Sequence, residues 1–123
     1  MSSRVILIVD DDADFRQIVR EALEESGQET ATASGGAEAL AYLQTHPAPA
    51  LILLDWRMAD SDASEFMTAF VAGPCPQVPV VLMTAGRPMD LPGHTGRFAG
   101  YLRKPFDLER LFEVAAHYAK QPD

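Results

Sequence analysis

The chain has 123 residues and a single cysteine, so one domain spanning residues 1–123 is expected and an internal disulfide is excluded. Hydrophobic residues make up 47% of the chain, enough for a core, but no apolar run approaches the ~20 residues that cross a membrane. The first residues lack the apolar stretch of a secretory signal, and the net charge of -8 argues against binding a phosphate backbone. We therefore expect a cytoplasmic domain that binds neither membranes nor nucleic acid directly.

The chain begins with a predicted strand followed by a predicted helix. Val5–Val9 is a continuous apolar run rich in β-branched residues, which is typical of a strand buried on both faces. Residues 14–26 then repeat apolar side chains at helical spacing. Asp12 or Asp14 can cap the start of this helix, and Gly27 suits its end.

The same alternation continues through the middle of the chain. Glu29–Ala33 predicts a short strand, and Ser34 is expected to cap a helix that ends before Pro47. A second buried strand is predicted over residues 50–54. The serine and aspartate residues within 61–64 offer caps for the helix that follows it.

The last third of the chain predicts two more strands, over residues 79–83 and 99–103, and a final helix capped by Asp107. Between those strands, residues 86–97 are rich in proline and glycine, which permits at most a broken helical turn. Alternating strands and helices predict an α/β fold with a doubly wound, five-stranded parallel sheet, (βα)5, in which the fourth helix is shortened or irregular. The predicted apolar helix faces include Ile18, Val71 and Leu108.

Polar residues follow four of the predicted strands, each at the point where the apolar run stops. Asp10 and Asp11 follow the first strand, Asp55 follows the third, Thr84 the fourth and Lys104 the fifth. Parallel strands would bring these groups together at the carboxyl edge of the sheet, where open α/β sheets bind ligands. Clustered carboxylates suit a hard cation such as Mg²⁺, and a carboxylate can attack phosphorus. Read singly, each residue has an ordinary explanation as a helix cap, a turn hydroxyl or a surface lysine.

Together these residues resemble the receiver (response-regulator) family, which has a flavodoxin-like fold. The resemblance extends from Val5 to about Tyr118 and rests on four motifs in order. The motifs are Ile8-Val9-Asp10-Asp11-Asp12, Leu53-Leu54-Asp55-Trp56-Arg57-Met58, Met83-Thr84-Ala85-Gly86 and Tyr101-Leu102-Arg103-Lys104-Pro105-Phe106.

The resemblance implies a role for each site residue. Asp55 looks like the phosphoacceptor, and Asp10 and Asp11 look like the acidic pair around Mg²⁺ (or Mn²⁺), with Asp55 as a further ligand. The backbone carbonyl of Arg57 would complete the protein ligands, and Lys104 would contact the phosphoryl group. The only catalysis expected is of the domain's own aspartyl phosphorylation and dephosphorylation.

By the same resemblance, Thr84 and Tyr101 look like a switch pair that alters a signalling surface after phosphorylation. The phosphodonor would be the phosphohistidine of a sensor histidine kinase or a phosphotransfer protein. A homodimer or a downstream effector domain would read the altered surface.

Two other functions fit parts of the sequence. In a Mg²⁺-dependent phosphohydrolase resembling the haloacid-dehalogenase superfamily, Asp10 would be the nucleophile and Asp12 the general acid, with Thr84 and Lys104 following in that family's order. This interpretation leaves Asp55 unexplained. The third interpretation is a pseudo-receiver, a docking module with the fold but without phosphorylation. The aspartate that becomes phosphorylated, if any, distinguishes the three.

Overall fold

A computed structural model of the chain describes residues 4–56, 62–74, 77–84, 98–104 and 106–118. These residues form one sheet of five strands, β1 (Val5–Val9), β2 (Glu29–Ala33), β3 (Leu51–Asp55), β4 (Val80–Thr84) and β5 (Gly100–Arg103). The strand order is β2-β1-β3-β4-β5, and every neighbouring pair is parallel. This is the flavodoxin-like order, so the predicted sheet is confirmed.

Helices cover both faces of the sheet. The described residues form α1 (Ala13–Glu25), α2 (Gly36–Thr45), α3 (Ala63–Val71) and α4 (Leu108–Tyr118). The segment predicted to hold a shortened or irregular fourth helix, residues 86–97, lies outside the described residues. Among the helices that are described, none is long and apolar enough to cross a membrane.

Side chains of the central strands alternate between two core clusters, as expected for strands buried on both faces. On β1, Leu7 and Val9 pack with α2 and α3, whereas Ile6 and Ile8 pack with α1 and α4. All four side chains are 0% exposed. The rigid, dry centre of the sheet fixes the positions of the residues at its carboxyl edge.

The ends of the helices largely follow the sequence signals. Asp12 caps α1 by accepting a hydrogen bond from the Phe15 amide, and Gly27, which follows this helix, has a φ angle of 93°. Asp62 forms a reciprocal capping box at α3, and Asp107 accepts from the Arg110 amide at the start of α4.

The predicted cap of α2 is wrong. Gly35 is the N-cap residue, with no side-chain hydrogen bond to the helix. Ser34 lies one position earlier, and both its amide and its hydroxyl donate to Glu38 Oε1 at 2.8 Å. Because its hydroxyl is a donor to that carboxylate, Ser34 joins the first turn of α2 through the Glu38 side chain instead of accepting from a helix amide.

Three strands and three side chains differ from the sequence prediction, and one of these strands, β5, begins at Gly100 and not at residue 99. β3 and β4 each lie one residue later than expected, so Asp55 and Thr84 are their last residues. Ile18, Val71 and Leu108 are 60%, 48% and 50% exposed. Each lies at the margin of its helical stripe, because a helix packed on a sheet buries only a limited arc of its surface.

Candidate phosphoryl-transfer site

The predicted site residues meet at the carboxyl edge of the sheet. Asp10 directly follows β1, and Lys104 directly follows β5. Backbone hydrogen bonds continue the sheet at this edge, from the Asp10 amide to the Ala33 carbonyl at 3.2 Å and from the Lys104 amide to the Thr84 carbonyl at 2.7 Å. The edge is therefore built on main-chain bonds, which hold the functional side chains on rigid elements.

Three carboxylates form an acidic cluster here. Asp10, Asp11 and Asp55 each offer one oxygen, and these oxygens all lie within 4.8 Å of one another. Asp10 is buried, Asp55 is partly buried and Asp11 is exposed. This combination gives a fixed inner side and an open outer side, which fits a hard cation that retains several waters. The predicted further ligand, the carbonyl of Arg57, lies outside the described residues.

Lys104 joins the two inner carboxylates. Its Nζ atom lies 2.9 Å from Asp10 Oδ2 and 3.2 Å from Asp55 Oδ1. Burial lowers the pKa of Lys104, but its hydrogen bond to Asp10 and the charge of Asp55 outweigh that effect, so the pKa is raised overall. Lys104 is therefore a charged ammonium that contacts both inner carboxylates of the cluster, Asp10 and Asp55.

Asp55 has the environment of a carboxylate that benefits from a nearby cation. Burial raises its pKa, the negative charge of Asp10 raises it further, and Lys104 opposes both effects. Its side chain is 14% exposed, so one side of the carboxylate remains open to solvent. An accessible carboxylate next to a cation site can act as a nucleophile toward phosphorus.

Asp10 is oriented by partners on both of its oxygens. Oδ1 accepts from the Asp12 amide at 3.0 Å, while Oδ2 accepts from Lys104. Asp12 itself caps α1 through its own carboxylate. In this structure Asp12 therefore caps the helix, which is the ordinary role considered for it in the sequence.

Thr84 and Tyr101 lie on neighbouring strands. Thr84 ends β4 and is 3% exposed. Tyr101 lies on β5 opposite Leu82, and burial raises its pKa. Its ring is 6.0 Å from that of Phe98, in an edge-to-face arrangement. The two predicted switch residues thus stand at the site and on the adjoining edge strand of the described sheet.

Sequence reasoning missed two neighbours of the site. Arg16 Nη1 donates to the Asp10 carbonyl at 2.8 Å, and Lys104 Nζ lies 4.3 Å from the centroid of the Phe15 ring. Phe15 and Arg16 belong to the first turns of α1, directly after the acidic run. The helical periodicity assigned Phe15 to the core, and it gave no indication that the ring also faces a charged group.

Comparison with known proteins identifies the family. The family model described as "Response regulator receiver domain" matches residues 6–116. The chain is 32% identical to the DNA-binding transcriptional regulator NtrC of Escherichia coli (strain K12), covering 98% of this chain and 27% of that protein. It therefore spans about a quarter of the length of that relative.

Two further comparisons cover whole domains. Sporulation initiation phosphotransferase F of Bacillus subtilis (strain 168) is 28% identical, over 96% of this chain and 95% of that protein. The receiver domain of NtrX from Brucella abortus superposes with a TM-score of 0.83 at 30% identity, covering 95% of this chain and 99% of that domain. The chain belongs to the response regulator receiver family, whose members are phosphoacceptor domains of two-component signalling.

Proposed function

We propose that Asp55 is the phosphoacceptor of this receiver domain and that Asp10 and Asp11, together with Asp55, hold Mg²⁺ or Mn²⁺. The observation that carries the proposal is the convergence of three carboxylates and the Lys104 ammonium at one edge of the sheet. We extend the proposal to the carbonyl of Arg57 as a further ligand, on the motif alone.

The chemistry follows from the positions of these groups. An oxygen of the Asp55 carboxylate attacks phosphorus, the bond between phosphorus and the donor's histidine nitrogen breaks, and an aspartyl phosphate forms. The nitrogen leaves as a neutral imidazole after taking up a proton. Lys104, already 3.2 Å from Asp55 Oδ1, offers positive charge to the phosphoryl oxygens. When bound, the cation supplies further charge that offsets the charge on the transferring group.

The signalling step is proposed to run through Thr84 and Tyr101. Thr84 is buried at the end of β4, at the same edge as Asp55, and its hydroxyl is proposed to turn toward a new phosphoryl oxygen. Movement of Thr84 would free space on the side of β5 where Tyr101 lies. Only a small energetic bias between two arrangements is needed for such a switch.

The proposed partners follow from the family and the relatives. A sensor histidine kinase or a phosphotransfer protein would supply the phosphoryl group, and an effector domain or a second copy of the domain would read the Tyr101 surface. Because the NtrC relative is named as a DNA-binding regulator, a cytoplasmic location forms part of the proposal. The single-domain organisation over residues 1–123 likewise belongs to the proposal.

Intact-mass measurement after incubation with acetyl phosphate tests this function. The wild-type chain should gain one phosphoryl group with Mg²⁺ and none with EDTA. Asp55→Asn should gain none, and Asp11→Asn should be slowed by at least about tenfold because a cation ligand is lost. Asp12→Asn is the matched control, since asparagine also caps helices and Asp12 lies beside the cluster but outside it.

Each alternative predicts a different result. A phosphohydrolase would retain the label in Asp55→Asn and lose it in Asp10→Asn. A pseudo-receiver would stay unmodified in every sample and would also fail to bind beryllofluoride, a mimic of the phosphoryl group. Either result would contradict the proposed role of Asp55.

A further inference from the structure

The Lys104 ammonium has an aromatic neighbour in addition to its two carboxylates. Nζ lies over the face of the Phe15 ring, 4.3 Å from the centroid. An ammonium over an aromatic face is attracted by the negative face of the ring, and this attraction grows where water is partly excluded. Lys104 is 24% exposed, so the contact is partly shielded from solvent.

The Phe15 ring is itself held in place. The Phe15 amide donates to Asp12 Oδ1 at 3.1 Å, which ties the residue to the capped start of α1. Its ring meets Phe106 edge to face, with centroids 5.8 Å apart and an interplanar angle of 82°. Phe15 also packs against the core cluster between α1 and α4. The ring is therefore a fixed surface beside the acidic cluster.

This contact differs from the two carboxylate contacts in one chemical respect. During the proposed reaction Asp55 becomes an aspartyl phosphate, and Asp10 shares its charge with a metal ion. Neither carboxylate then holds Lys104 as it does in the unmodified site, at the moment when the lysine must turn toward the phosphoryl oxygens. The Phe15 ring takes no part in bond making, so its attraction persists and restrains a side chain that otherwise has many rotamers.

We propose that Phe15 is a positioning residue for phosphoryl transfer, because the electron-rich face of its ring holds the Lys104 ammonium beside Asp55. The inference rests on the proposed function of Asp55. It requires that the rate of phosphorylation depend on the electrostatic character of the ring and not only on its bulk.

Fluorinated phenylalanines provide the test, since each added fluorine weakens the negative face of the ring while changing its shape little. The full chain would carry 4-fluoro-, 3,5-difluoro- or 3,4,5-trifluorophenylalanine at position 15. The rate of phosphorylation by acetyl phosphate would be followed by intact mass at saturating Mg²⁺. We expect the rate to fall along the series, to about threefold to tenfold below wild type for the trifluoro variant. Mg²⁺ affinity, measured by calorimetry, should not fall.

Phe112 is the matched control, because it packs against the same core cluster from α4. The same analogues at position 112 should leave the rate unchanged. Phe15→Leu, which keeps an apolar side chain, should be as slow as the trifluoro variant although it remains folded in thermal melts. This last comparison separates the face of the ring from simple packing.

The outcomes of the test are distinct. A constant rate along the series at position 15, or an equal fall at position 112, would overturn the positioning role while leaving the proposed function intact. A wild-type chain that takes up no phosphoryl group would overturn the proposed function and the positioning role together.

Discussion

Lys104 and Asp10 are 94 positions apart in the chain, yet Lys104 Nζ and Asp10 Oδ2 lie 2.9 Å apart. The contact joins the residue after β5 to the residue after β1, across the ends of the two strands between them. Asp10 is 1% exposed, so the ammonium offsets a carboxylate that water hardly reaches. The same ammonium therefore neutralises carboxylate charge that a metal ion bound at this cluster would otherwise neutralise.

Lys104→Met is predicted to bind Mg²⁺ more tightly than wild type. Removing the ammonium leaves three carboxylates without their cationic partner. A divalent ion is then attracted by negative charge that Lys104 no longer offsets. We expect affinity to rise by roughly tenfold when measured by calorimetry. Arg110→Met is a control on a surface cation that pairs with exposed Glu113. Unchanged or weaker binding in Lys104→Met would show that the lysine does not compete with the metal.

Asp55→Asn is predicted to be more stable than wild type at neutral pH in EDTA. Burial and the charge of Asp10 raise the pKa of Asp55, so the folded state favours the protonated carboxyl. That contribution to stability is fully present below the unfolded pKa and is lost as pH rises through the folded pKa. The variant does not titrate at this position, so its melting temperature should exceed that of wild type at neutral pH. The difference in melting temperature should become smaller as the pH falls to about 4, the ordinary range for a carboxyl pKa.

Equal melting temperatures at neutral pH, or a wild type that is more stable than the variant, would contradict the predicted stabilisation by Asp55→Asn. Adding Mg²⁺ provides an internal check, because a ligand that binds the folded state raises its stability. Wild type should gain more from Mg²⁺ than Asp55→Asn does.

The proposed switch predicts that Tyr101 changes its environment when the site is loaded. A 3-fluorotyrosine at position 101 should shift its fluorine resonance when beryllofluoride and Mg²⁺ are added, because the ring repacks at the β5 edge. Thr84→Ala should reduce that shift by at least about half, since the hydroxyl that couples the site to the edge is gone. The same label at Tyr42, a half-buried tyrosine on α2, is the control and should stay constant. A constant resonance at position 101 would contradict the switch.

Gly100→Ala is predicted to disturb the contact between β5 and the end of α4. A Cβ at position 100 would lie 2.8 Å from the Tyr118 hydroxyl oxygen, which itself donates to the Ala99 carbonyl at 2.8 Å. The tyrosine must move and give up this hydrogen bond, at a cost of about 1 kcal/mol in the free energy of unfolding. In a Tyr118→Phe background the same substitution should cost less, as judged by urea unfolding. An equal loss of unfolding free energy in both backgrounds would show that the strain does not come from the Tyr118 hydroxyl.

The sequence predicted the architecture well because its signals agree with one another. The run Val5–Val9 was placed with the correct bounds, since a continuous apolar run rich in β-branched residues, between a charged start and an acidic end, leaves little choice. The ends of β3 and β4 were missed by one residue. Asp55 and Thr84 are polar, and the pattern ended each strand before them, whereas main-chain pairing includes them.

Side-chain contacts within the site were less predictable. Motifs indicated that Asp10, Asp55 and Lys104 come together, because the pattern puts each of them at the carboxyl end of a strand in the same sheet. The contact between the Phe15 ring and Lys104 was not predicted, because the spacing of Phe15 fits the core stripe of α1. A ring that packs against the core on one side can still contact a cation on the other. The Ser34 cap failed for a similar reason, since the nearby Glu38 carboxylate is a better acceptor for its hydroxyl.

The central claim is that Asp55 receives the phosphoryl group, and chemical mapping of the modified residue tests it most directly. After treatment with acetyl phosphate and Mg²⁺, borohydride reduction converts an aspartyl phosphate into homoserine, which peptide mass analysis then locates. We predict homoserine at position 55, and none in a sample kept in EDTA. Homoserine at position 10, or at no aspartate in a protein that has gained phosphate, would contradict the account.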